Sequence, residues 1–194
     1  MRRLCVFCGS SPGQRPIHAE SARSLGMIMA ARGLALVYGG GHVGLMGVLA
    51  DAVLEAGGEV IGVIPQSMVD KELAHTGISK LHIVGTMHER KALMADLADG
   101  FAALPGAFGT ADELFEILTW AQLGLHAKPV GILNVDGFFQ ALLAWLDHAV
   151  AEGFLKPRHR QLLQEAGDAE KLVDLLISYR PEPVEGKWLE RRDL

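Results

Sequence analysis

Two charged side chains and two glycine-rich turns carry the chemical possibilities of this sequence. Arg90 lies in Met87-His88-Glu89-Arg90-Lys91-Ala92-Leu93-Met94, on the same helical stripe as Met87, Met94 and Leu97. A guanidinium on the apolar side of a helix needs an anion, either a substrate phosphate or an acidic side chain in a cleft. The plainer alternative is that it snorkels past its apolar neighbours into solvent. Glu113 follows the turn Pro105-Gly106-Ala107-Phe108-Gly109-Thr110. A carboxylate there can activate water or stabilise positive charge developing on a substrate. It also stands three residues after Thr110, the spacing of a capping box, so it can equally close its own helix.

The first glycine turn, residues 39–47, reads Gly39-Gly40-Gly41-His42-Val43-Gly44-Leu45-Met46-Gly47 between a strand and a helix. Adjacent glycines let the backbone approach a ligand closely. The helix that follows offers free N–H groups and the positive end of its dipole, which suit a phosphate. The second turn, residues 105–110, repeats the design with Thr110 expected at the N-cap. Neither turn continues as Gly-Lys-Ser/Thr, so neither is a P-loop. The first strand ends Cys8-Gly9-Ser10-Ser11-Pro12, which is not the dinucleotide fingerprint. A mononucleotide is the better-matched ligand. Residues 39–47 read as the simpler phosphate cradle, whereas residues 105–110 both touch the nucleotide and aim Glu113.

Other reactive residues say less. Cys5 and Cys8 have C-x-x-C spacing, but in a strand their side chains point to opposite faces, so they read as packing residues. His88 has no partner at metal-ligand spacing, and no metal cluster is visible. No lysine is placed for a pyridoxal-phosphate aldimine, and no cofactor is expected. The balance of 18 Lys plus Arg against 23 Asp plus Glu, with no basic run, argues against a nucleic-acid polymer or a membrane surface as partner. No apolar stretch is long enough to span a bilayer. The short run after Arg2-Arg3 reads as a first strand rather than a signal peptide, so a cytoplasmic protein is expected.

The elements that must position these residues alternate. Residues 4–8, 35–38, 60–64, 81–84, 101–104 and 130–133 read as short strands, apolar on both faces. Helical patterns lie near residues 19–32, 45–56, 87–98, 111–123 and 138–152. This order predicts an α/β fold with a doubly wound parallel sheet, Rossmann-like, whose ligand sits beyond the C-terminal strand ends. After Gly153 two helices, residues 157–165 and 169–179, are expected with no strand between them. One domain over residues 1–180 follows, with a tail, residues 181–194, loosely ordered or packed on a partner subunit. The apolar residues Ile117, Leu118, Trp120, Leu123 and Leu125 suggest a shared face in a homodimer.

These motifs together resemble the LOG ("lonely guy") family of cytokinin riboside 5′-monophosphate phosphoribohydrolases, whose older description is possible lysine decarboxylase. The stretches that carry the likeness are Phe7-Cys8-Gly9-Ser10-Ser11, residues 38–47, Gly62-Val63-Ile64-Pro65, Met87-His88-Glu89-Arg90-Lys91 and residues 105–113. Thr119-Trp120-Ala121-Gln122-Leu123-Gly124 and Lys128-Pro129-Val130-Gly131 add to it. The resemblance implies hydrolysis of the N-glycosidic bond of an adenine nucleoside 5′-monophosphate to free base and ribose 5-phosphate, without a metal. It implies Arg90 and Glu113 as the catalytic pair. It implies substrate contacts at Glu72, Arg90, Lys91 and Thr119, and along Gly106, Ala107, Phe108, Gly109, Thr110, Ala111, Asp112 and Glu113. Gly41 and Gly44 join the phosphate side, and Ser10 is a further substrate-binding position. A homodimer is implied as well. One position departs from the family's Pro-Gly-Gly-x-Gly-Thr: Ala107 replaces the second glycine, which would strain the turn if positive φ were needed there. That departure and the capping role open to Glu113 leave a second reading, a nucleotide-binding protein without catalysis.

Overall fold

The computed structural model describes residues 1–71 and 73–181. The expectations for Glu72 and for the tail beyond Pro181 therefore lie outside the described residues. Seven strands form one parallel sheet: β1 (Arg3–Phe7), β2 (Ala35–Tyr38), β3 (Val60–Pro65), β4 (Lys80–Val84), β5 (Gly100–Ala103), β6 (Val130–Leu133) and β7 (Leu163–Ala166). Their order is β4-β3-β2-β1-β5-β6-β7. The helices are α1 (Pro16–Ala31), α2 (Gly44–Glu55), α3 (Gln66–Val69), α4 (Met87–Leu97), α5 (Phe108–Gln122), α6 (Gln140–Ala151), α7 (Pro157–Arg160) and α8 (Ala169–Ser178). Among the described residues no helix is long and apolar enough to cross a membrane.

The alternation along β1 shows why the sheet is covered on both faces. Leu4, Val6 and Cys8 join the core formed with α1, α2 and α8. Cys5 and Phe7 join the opposite core with Met94, Ile117 and Leu143 of α4, α5 and α6. Successive strand side chains point to opposite faces, so one run of apolar residues supplies both layers. The two cysteines are free and buried, one in each layer. Burial pushes both thiols above their ordinary value, which removes the reactive thiolate.

The doubly wound expectation holds, with one correction. The segment expected to be helical over residues 157–165 is a single turn, α7, followed by the edge strand β7. Only Leu163 and Ala166 of that strand are buried, and it pairs with β6 alone. The sequence Leu-Gln-Glu-Ala has too little apolar content to announce a strand.

The chain winds outward from β1 through β2, β3 and β4, then returns to the other side of β1 with β5. The loops after β1 and β5 therefore diverge, and the crevice between them is the switch point where such sheets bind ligands. The strand ends remain tied at this point: Leu104 N–H donates to the Phe7 carbonyl (2.9 Å) and Gly9 N–H to the Pro105 carbonyl (3.0 Å).

Candidate active site

A capping box starts α4 and aims Arg90 inward. Glu89 N–H donates to Thr86 Oγ1 (3.1 Å), and Thr86 N–H donates to Glu89 Oε2 (3.2 Å). With the first turn fixed this way, Arg90 is 7% exposed. Its Nε donates to the Val63 carbonyl (3.1 Å) and Nη2 to the Gly39 carbonyl (3.0 Å). The snorkelling alternative is thereby excluded. Gly39 is required for this: a Cβ on it would lie 1.9 Å from Arg90 Nη2. The remaining nitrogen, Nη1, faces Glu113 Oε1 at 3.9 Å.

Helix α5 begins at Phe108, three residues earlier than the sequence suggested, with Ala107 at the N-cap. Thr110 is thus the third helical residue and is buried rather than capping. No side chain caps this helix, so the N–H groups of its first turn remain open to an anion. The capping-box reading of Glu113 falls with the same observation. Its side chain is 13% exposed and points at Arg90. Burial raises its pKa to about 7, against the lowering effect of Arg90. At neutral pH it can both accept and give up a proton.

The positive φ that would have strained Ala107 is absent. Its φ is −118°, and Asp136 is the one non-glycine with positive φ among the described residues. The glycine that the turn does need is Gly106, where a Cβ would lie 2.1 Å from Thr110 Oγ1.

The first glycine turn is built differently from the second. The N–H of Leu45, at the start of α2, donates to the Gly9 carbonyl (3.0 Å). Gly44 has φ +61°, and a Cβ there would meet the Ser10 carbonyl carbon at 2.3 Å. His42 N–H donates to the Leu73 carbonyl and His75 N–H to the Gly40 carbonyl. The chain itself occupies this turn; its contribution is to seat the loop after β1 and to hold Arg90.

Arg90, Glu113, Ser10, Gly106, Ala107, Gly109 and Thr110 line one cavity of about 640 Å³. The other described residues implied by resemblance stand outside that lining. Gly41 and Gly44 lie behind it in the packed turn. Lys91 ties α4 to α5 through Asp112 (3.1 Å) and Glu116 (3.1 Å). Ala111 and Asp112 are exposed, and Phe108 is 93% exposed. Thr119 donates to the Phe115 carbonyl on the outer side of α5. The sequence reading missed His18, Met46, Met68 and Phe138, which also line the cavity. A signal for Phe138 existed: it follows β6, whose C-terminal end opens on the same sheet edge as the other loops.

Residues 46–176 match a protein-family model described as possible lysine decarboxylase. A probable cytokinin riboside 5′-monophosphate phosphoribohydrolase of Oryza sativa subsp. japonica is 53% identical over 93% of this chain and 79% of its own length. A cytokinin riboside 5′-monophosphate phosphoribohydrolase of Arabidopsis thaliana is 50% identical over 93% of this chain and 83% of its own. Among solved structures, the molybdenum cofactor binding protein of Rippkaea orientalis superposes with a TM-score of 0.70 at 21% identity, covering 92% of this chain and 97% of that one. The molybdenum cofactor carrier protein of Chlamydomonas reinhardtii gives 0.68 at 21%, covering 92% and 99%. At that identity the structural matches speak to the fold alone.

Proposed function

The chain belongs to the LOG family of cytokinin riboside 5′-monophosphate phosphoribohydrolases, and from that premise we propose that it hydrolyses the N-glycosidic bond of adenine-type nucleoside 5′-monophosphates, releasing base and ribose 5-phosphate. The observation that carries this reading is Glu113: a buried carboxylate with a pKa of about 7, set beside Arg90 in a cavity that an uncapped helix start also lines.

The phosphate sits on the first turn of α5, where the N–H groups of Phe108, Gly109 and Thr110 and the helix dipole favour an anion. Anchoring that end orients C1′ toward Glu113, which lies one turn further along the same helix. Breaking the C1′–N bond leaves an oxocarbenium-like ribosyl centre. The ionised Glu113 stabilises that centre and takes the proton of the attacking water. Arg90, fixed by two backbone carbonyls, positions the carboxylate.

Lysine decarboxylation finds no such support. No lysine among the described residues lines the cavity. Lys91 is held above its ordinary pKa: burial opposes its charge, but hydrogen bonds and charge from Glu116 and Asp112 outweigh it. It is therefore a poor amine nucleophile.

The same reading makes the protein a cytoplasmic homodimer. Its two free, buried thiols suit a reducing compartment. Phe108 (93% exposed) at the start of α5, Trp145 (57%) on α6 and Phe154 (89%) just beyond α6 are exposed apolar side chains available to a partner. Ile117, expected on the shared face, is instead 3% exposed in the protein's own core. Sedimentation that shows only monomer at micromolar concentration would remove the dimer from this proposal.

Incubation with isopentenyladenosine 5′-monophosphate and with AMP, followed by chromatography for free base, tests the activity. Release of base from either supports it, and release from neither by folded protein overturns it.

A further inference from the structure

Arg90, Glu113 and the start of α5 account for the ribose phosphate, but one wall of the cavity has no part in that account. His18, the third residue of α1, is 9% exposed and lines the cavity with Phe138. Its ring is held on two sides. Phe138 packs edge-on at 5.7 Å between centroids, and Gly13 lies so close that a Cβ there would be 3.0 Å from His18 Cδ2. An Arg15–Asp136 ion pair ties the loop before α1 to the turn that carries Phe138, which fixes the two rings relative to each other.

Nδ1 of His18 is fully buried and has no hydrogen-bond partner among the described residues. A buried polar nitrogen left unpaired forfeits its hydration with nothing in return. Such groups persist where a ligand or a reaction uses the side chain. A histidine that only packed would have its Nδ1–H pinned by a carbonyl or carboxylate, as is common where the tautomer matters structurally. Here no described residue bonds to Nδ1 to fix the tautomer. With Nδ1 buried, Nε2 is the nitrogen left to meet a bound molecule.

We propose that His18 faces the departing base and protonates it, resting this on the N-glycosidase reading above. The C1′–N bond breaks with its electron pair staying on the base. The proton of His18 Nε2 passes to a ring nitrogen of the base. The oxygen of water bonds to C1′, and the proton released from that water goes to the Glu113 carboxylate. Exchange with solvent then returns a proton to His18 and removes one from Glu113, so the cycle closes as nucleotide plus water giving base plus ribose 5-phosphate. Two groups divide the work: Glu113 acts at the ribosyl carbon and His18 acts at the leaving group.

The test compares substrates that differ only in what the leaving group needs. AMP must leave as a protonated base, whereas 4-nitrophenyl β-D-ribofuranoside 5-phosphate releases a phenolate that needs no acid. For His18→Phe, which keeps the ring volume beside Phe138, kcat on AMP falls about 100-fold, the usual scale for losing a general acid. On the nitrophenyl substrate it falls less than about threefold, because the phosphate and ribose contacts are intact. His18→Gln, which hydrogen-bonds without transferring a proton, shows the same selective loss at about tenfold on AMP. Equal losses on both substrates, or undiminished kcat on AMP, overturn the role of His18. If the phenylalanine variant does not fold, the glutamine variant decides by the same ratio. Wild-type protein that releases no base from any nucleotide overturns the N-glycosidase reading instead, so the two failures are told apart.

Discussion

Replacing Glu113 with glutamine separates catalysis from stability, because the same burial serves one and opposes the other. In the folded protein burial raises the Glu113 pKa from its ordinary 4.5 to about 7. The unfolded chain ionises near the ordinary value, so it binds fewer protons than the folded chain between the two pKa values. The folded state therefore enjoys its full share of stability below about pH 4.5 and loses it progressively as pH rises through 7. At 1.36 kcal/mol per pKa unit the loss is about 3 kcal/mol by pH 8, of which about 2.5 kcal/mol accrues above pH 5. Glutamine does not titrate. Glu113→Gln should thus gain on wild type by about 2.5 kcal/mol between pH 5 and pH 8, read from urea unfolding midpoints at the two pH values. Hydrolysis of AMP by the same variant should fall at least about 100-fold. A variant less stable than wild type by the same margin at both pH values would refute this account, because the Glu113 charge would then be holding the fold together.

The pH dependence of turnover has the opposite sign. The ionised carboxylate is the working form, so the acid limb of kcat/KM for AMP should rise through about pH 7; an acid limb flat from pH 5.5 to 7 would contradict that. Gly39→Ala places a methyl group 1.9 Å from Arg90 Nη2 and must evict the guanidinium, costing about 3 kcal/mol of stability and most of the activity. A thermal melt and an activity assay check both halves of that claim. Ala107→Gly restores the family's second glycine at a position whose φ is −118°, so kcat/KM should change less than about twofold; a tenfold rise would show that the turn is strained after all.

The sheet was legible because buried parallel strands are apolar on both faces, and six of the seven announce themselves that way. Strand β7 did not, since its central Gln164 and Glu165 are not buried. Arg90 was legible as inward-facing from its helical stripe, but its partners were not. The carbonyls of Gly39 and Val63 belong to β2's turn and to β3, 51 and 27 residues away, and backbone acceptors leave no mark in a sequence. Thr110 misled for a related reason. A threonine before an apolar run looks like an N-cap, yet here it is drawn inside by the space over Gly106. His18 carried no motif; only the fold brings the start of α1 to the same cavity as the start of α5.

The two glycine turns, alike in sequence, do opposite electrostatic work. The turn after β5 leaves helix N–H groups open for a phosphate. The turn after β2 spends its backbone on the chain, and its Gly39 carbonyl takes a hydrogen bond from Arg90 that could otherwise have gone to Glu113. That diversion matters for the chemistry. A bidentate contact between guanidinium and carboxylate would favour the ionised form strongly and hold Glu113 well below neutral pH. At 3.9 Å, with Nε and Nη2 committed to carbonyls, Arg90 lowers the pKa by less than burial raises it. The first turn thus sets how basic the catalytic carboxylate is, while the second sets where the substrate lies. In the residual activity of Gly39→Ala, a guanidinium displaced onto Glu113 should therefore shift the pH profile to lower values.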